Sequence, residues 1–148
     1  SGLVGFGWLH KLANDEKLGL PIIHHPAYSG GFMSPGVSGI ADYLQLGLLP
    51  RIFGADMPIF VSYGGRFTFT EDQCKRISSY IKHPFGLMKA ACPAPGGGVT
   101  DARLNELVEL YGNDTMFLVG GDMFRRGPDI ESNMAYFVER LSDLSESK

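Results

Sequence analysis

Four times along the chain, a short apolar run gives way to turn residues and then to apolar positions at helical spacing. The runs are "LPIIHHP" (20–26), "MPIFVSY" (57–63), "FGLMKAACP" (85–93) and "TMFLVGG" (115–121). After the first, a helical face passes through Ile40, Leu44, Leu48 and Ile52, and Pro50 should kink or shorten that helix. After the second, a capping box from Thr70 to Gln73 opens a helix with Ile77, Tyr80 and Ile81 on one face. Thr100 is placed to cap a third helix through Leu104, Leu107, Val108 and Tyr111, with Gly112 at its C-terminal cap. The fourth starts near Asp129 and carries Ile130, Met134, Phe137, Val138 and Leu141 on one stripe. Residues 3–18 predict one more helix, through Leu9, Leu12 and Ala13, and the polar end "SDLSESK" should fray.

Four βα units with no hairpin signal predict an α/β fold with a parallel sheet and right-handed crossovers. Strand spacing of roughly 30 residues is that of βαβ geometry. No linker divides the 148 residues, so 1–148 form a single domain with enough chain to bury a core. A leading helix followed by four parallel βα units is what a TIM (β/α)8 barrel yields when cut in the middle. An open flavodoxin-like sheet is the rival. Four strands leave two open edges, where a closed barrel has none, so a homo-oligomer built through those edges is expected.

Composition narrows the partners. A formal net charge of −3 leaves no basic footprint for nucleic acid. No apolar run is long enough to span a membrane, and no signal peptide is visible. The opening Ser1-Gly2, without an initiating Met, suggests a cloning remnant. Cys74 and Cys92 lack metal-ligand spacing and suit a reduced, cytoplasmic thiol pair. The 20 glycines stand out because they cluster.

They cluster where chemistry belongs. In a parallel βα architecture the ligand meets the carboxyl ends of the strands. The residues there are His24, His25 and Pro26; Ser62, Tyr63, Gly64, Gly65 and Arg66; Gly96, Gly97 and Gly98; and Gly120, Gly121 and Asp122. Bare backbone N–H groups near a helix N-terminus suit an anion, and the last two loops of a barrel commonly hold phosphate. A methyl group on Gly121 should block such an anion or force a positive φ. His24 and His25 alternate across their strand, so only one of them can point into the barrel, and a packed or surface histidine is the alternative. Arg66 sits in a glycine-hinged loop with Phe67 and Phe69, suited either to close over an anionic substrate or to remain solvated. Lys89 is either an interior residue or one that snorkels outward.

"LPIIHHPAYSG", "IFGADMPIFVSYGGRFTF" and "PAPGGGVTDARLNELVELYGNDTMFLVGGD", with the spacing among them, resemble the RuBisCO large-subunit superfamily. The form IV RuBisCO-like proteins are the nearest branch, and the match is to the C-terminal half, (βα)5–8, of their barrel. The resemblance implies that His25 is the active-site histidine and that Arg66 replaces the mobile-loop lysine. It also implies that Gly97, Gly98, Gly120 and Gly121 hold a substrate phosphate through their amides. Mg2+ is implied for the parent enzyme, whose ligand motif is a carbamylated lysine with an Asp-Glu pair. Nothing at a strand exit here matches that motif, and the family's amino-terminal domain and first four strands have no counterpart. A truncated product, an engineered half or a fragment is the expectation, inactive by itself.

Pro26 where carbon-fixing members carry arginine, Arg66 for lysine and Gly96 for serine argue against CO2 fixation. The implied reaction is enolisation or isomerisation of a phosphorylated ketose or acid sugar. A non-catalytic phosphate-binding or structural half-barrel is the alternative, and a ribulose-bisphosphate carboxylase a third.

Overall fold

Strand β2 (Met57–Val61) is the centre of the sheet in the computed structural model, which describes residues 3–33 and 38–146. Pro58 and Phe60 are buried, while Met57, Ile59 and Val61 are half-buried on the other face. Strand β1 (Ile23–His24) pairs with it in parallel, with Ile23 opposite Met57. Strand β3 (Ala94–Gly96) pairs on the other side, also in parallel, with Ile59 opposite Ala94 and Val61 opposite Gly96.

The third and fourth expected strands need correction. Residues 85–93 are not a strand: Gly86 takes a φ of +58°, and Phe85 and Met88 pair across a tight antiparallel turn. The strand begins only at Ala94, between two prolines. The Pro93 carbonyl accepts from the Met116 N–H at 2.9 Å, and the Pro95 carbonyl from the Leu118 N–H at 3.1 Å. A residue of a parallel ladder turns its N–H and C=O to the same neighbour, and proline has no N–H to return. The segment 115–121 therefore runs beside β3 with half a ladder, bridging at Gly96–Leu118, instead of forming a full fourth strand.

The helices differ in detail too. Helix α1 (Phe6–Ala13) starts after Gly5 at φ +80° and stops at Asn14, well inside 3–18. A π-helical stretch, Tyr43–Leu48, runs directly into α2 (Leu49–Ile52). Pro50 has no N–H to give, and the wider turn, in which Leu49 N–H reaches Leu44 O, accommodates it. That turn also rotates the buried face. Gln45, Leu46, Gly47 and Arg51 point inward, while Ile40 and Ile52 are exposed. Gly47 lets α3 (Glu71–Lys82) cross closely, since a Cβ there would lie 3.0 Å from Tyr80 Cβ. Both capping-box bonds of α3 form, Gln73 N to Thr70 Oγ1 at 3.2 Å and Thr70 N to Gln73 Oε1 at 2.9 Å.

Helix α4 (Leu104–Tyr111) follows a 3-10 turn, Asp101–Arg103, and ends at Gly112 with φ +75°. The Thr100 side chain makes no capping bond. Instead, Asp122 Oδ2 accepts the Asp101 N–H at 2.8 Å. Helix α5 (Gly121–Arg125) is short, and α6 (Ile130–Glu146) opens on Asp129 and stays helical through "SDLSE". Of its expected stripe only Phe137 is buried, whereas Ile130, Met134 and Val138 are exposed.

Phe60 meets Cys74, Ile77 and Ile81 of α3, Leu104, Leu107 and Tyr111 of α4, and Phe137 of α6 in one core. His24, on the same face as Pro58, stacks on Phe6 of α1. Helices thus cover one face of the sheet, and the face of Ile23, Ile59 and Val61 is left open. A flavodoxin-like sheet is covered on both faces; a half-barrel is covered on one. The fold is the half-barrel. Among the described residues no helix is long and apolar enough to cross a membrane.

Candidate functional site

Because β1, β2, β3 and the 115–121 segment run parallel, their exits gather at one end of the sheet. The histidine question is decided by α1. His24 is 4% exposed, stacked on Phe6 at 5.8 Å, and neither ring nitrogen has a partner. Desolvation disfavours its charged form, with the N-terminus and His25 adding repulsion, and its pKa is pushed down to about 4. His25 lies exposed on the other face. Its Nδ1 accepts the Ala27 N–H at 3.1 Å, so the neutral ring carries its proton on Nε2.

The exit of β2 is held down firmly. Tyr63 lies under the Arg103 guanidinium at 4.5 Å, and its hydroxyl donates to Glu106. Beyond it Arg66 is exposed and stacks on the Phe67 ring at 4.9 Å. Gly64–Gly65 then packs directly on the glycine-rich turn after β3. A Cβ on Gly65 would lie 2.9 Å from Gly98 N, and a Cβ on Gly98 would lie 2.8 Å from Gly65 N. Gly97 and Gly98 take φ of +75° and +74°. Gly98 is therefore required twice over, by its conformation and by the neighbouring loop.

Gly97, Gly120 and Gly121 are exposed, and nothing lies within 4 Å of a Cβ placed on Gly120. Gly121 belongs to α5 and its φ is not positive, so the strain expected of a methyl group there is absent. Beside the twin glycines stand two carboxylates. Asp122 pairs with Arg125 at 2.7 Å, and its carboxyl is held below the usual aspartate value, first by the Asp101 N–H. Asp101 accepts the Tyr136 hydroxyl at 2.9 Å. Lys89 is neither of the two alternatives: it sits exposed in the turn before β3.

Arg103, Asp101 and Arg125 were not singled out from the sequence. Charged residues in a first helical turn are ordinary, and only the adjacency of three loops gives these a role. Among the described residues, no three His, Cys, Asp or Glu side chains gather where they could hold a metal ion. The described residues do not fit a Mg2+ site.

No family model matches the chain. It is 33% identical over 140 residues to ribulose bisphosphate carboxylase-like protein 1 of Rhodopseudomonas palustris, covering 95% of this chain and 36% of that protein. It is 32% identical over 140 residues to the 5-methylthioribulose-1-phosphate isomerase of Rhodospirillum rubrum, with the same coverage. The structure of a rubisco-like protein from Alicyclobacillus acidocaldarius superposes with a TM-score of 0.90 at 26% identity, over 99% of this chain and 37% of that one. The chain thus spans about a third of the length of these relatives. Helices on one face, parallel order and shared sequence agree: the chain's homologues are RuBisCO-like proteins, and its fold matches the C-terminal half of their barrel.

Proposed function

We propose that the chain is the phosphate-binding half of a RuBisCO-like enzyme that moves a proton beside the carbonyl of a phosphorylated ketose or acid sugar. One observation carries the reading. His25, with Nε2 unengaged, leaves the sheet at the same end as the uncovered backbone of Gly97, Gly120 and Gly121. The amides grip the phosphate, Arg66 balances charge developing on the substrate, and His25 donates from Nε2 to a substrate oxygen. Mg2+, the metal implied for such an enzyme, would need carboxylate ligands that the described residues do not bring together. The chain alone, in a reducing cytoplasm, is expected to bind anion and turn nothing over. The Gly65–Gly98 contact favours a second reading, in which the glycines serve loop packing in a non-catalytic half-barrel.

Phosphate titration by NMR separates the two. Binding at the site shifts amides 97–99 and 120–122, and Gly121→Ala weakens it with little loss of stability. Gly98→Ala costs about 2 kcal/mol whether or not phosphate binds, through its positive φ and the backbone opposite. Shifts confined to other amides, or turnover by the purified chain with Mg2+, would overturn the proposal.

We infer also that two copies associate through the open flanks. A folded monomer of 16.1 kDa is expected to expose about 7,400 Å2. The chain exposes 9,053 Å2, an excess on the scale of a stable interface. Trp8 and Leu12 stand outward on α1, and Met134 and Val138 on α6. Light scattering at tens of micromolar should give a dimer, and Trp8→Lys with Val138→Glu a monomer of unchanged circular dichroism. A wild-type monomer would refute the pairing.

A further inference from the structure

We infer that Arg103 is a positioning residue: it latches the loop that carries Arg66 onto the glycine-rich turn and so fixes where Arg66 can reach. The consequence for anion binding rests on the function proposed above, but the latch itself does not.

The guanidinium joins three elements. Nη1 donates to Tyr63 O at 2.7 Å and to Gly98 O at 3.0 Å. Nη2 and Nε donate to the Glu106 carboxylate at 2.9 and 3.3 Å, which orients the planar group from within α4. Its face rests on the Tyr63 ring, whose hydroxyl donates to the same carboxylate. A Cβ on Gly64 would run into the guanidinium, so the glycine there makes room for the latch. On the far side of Gly64, Gly65 is seated on Gly98.

Tyr63 and Gly65 are thereby pinned, and Thr70 is fixed by its capping box. Only residues 66–69 lie between the two anchors, so Arg66 begins one residue beyond a fixed point. Its reach is then mostly that of its own side chain. Lysine cannot replace Arg103 fully, because a point charge cannot bridge two carbonyls, pair with Glu106 and stack on Tyr63 together.

Limited trypsin digestion of the intact chain tests the latch, with cleavage after Arg66 measured against cleavage after exposed Lys17. The ratio cancels a general loss of stability. Arg103→Met should raise it about tenfold, the scale of losing one or two charge-assisted hydrogen bonds, and Arg103→Lys by less. Should Arg103→Met fail to fold, Glu106→Gln loosens the guanidinium while keeping the chain's packing, and the same ratio decides. An unchanged ratio in the variant that folds overturns the latch. Adding inorganic sulfate to the wild type reads the other proposal separately. Protection of Arg66 supports its meeting an anion; no protection, with the ratio still raised in the variant, leaves the latch standing and removes that role.

Discussion

Arg51→Met should lower the stability of the chain by about 3 kcal/mol, moving the thermal midpoint down by roughly 6–12 °C. Arg51 is only 4% exposed. Its guanidinium donates to the carbonyls of Tyr80, His83 (at 2.9 Å) and Lys89 (at 2.8 Å). It therefore caps the C-terminus of α3 and ties it to the turn that leads into β3. Helix ends leave carbonyls without partners, and the negative end of the dipole favours a cation there. Methionine preserves much of the aliphatic volume but leaves three carbonyls without this donor. Arg51→Lys should recover part of the loss. Urea unfolding of the three proteins measures this, and a midpoint shift below a few tenths of a molar for Arg51→Met would show that water replaces the cap.

Stability should also fall by about 3 kcal/mol as pH drops from 6.5 to 4, through His24 alone. In the folded chain His24 is buried and neutral, with its pKa pushed down to about 4 from 6.5. The unfolded chain takes up the proton below 6.5 while the folded chain does not, so acid favours unfolding by up to about 1.4 kcal/mol per pH unit. Asp122 and Asp129 have carboxyls held below the ordinary value of 3.8, so their contribution is lost only in stronger acid. His24→Phe keeps an aromatic ring against Phe6 and removes the titrating group. Urea midpoints at intervals between pH 7 and 4.5 should decline for the wild type and much less for the variant. Equal slopes would mean that His24 finds water or a partner on protonation.

The half-barrel class was legible because it depends on repeated local patterns. The Thr70–Gln73 capping box and the Gly112 cap also formed where the spacing placed them, since each is decided within a turn of helix. Prolines misled. Pro93 seemed to end a strand, but Pro93 and Pro95 tolerate that position because their missing N–H groups face an incomplete ladder. Pro50 predicts a kinked or shortened helix, whereas the π turn before it rotates the whole buried face.

The candidate site divides in the same way. Residue type and order along the chain placed His25, Arg66 and the glycines at strand exits, since alternation and parallel order follow from backbone geometry. Which histidine turns toward the open face was settled by Phe6, eighteen residues before His24, a contact that no local pattern encodes. The seat of Gly65 on Gly98, the reach of Arg103 to Tyr63 and the burial of Arg51 join residues roughly thirty to forty apart. Sequence by itself determined the elements that short-range sterics and hydrogen bonds dictate. Tertiary structure alone decided which polar groups meet, because burial makes an unpartnered carbonyl or charge costly only once distant segments have packed around it.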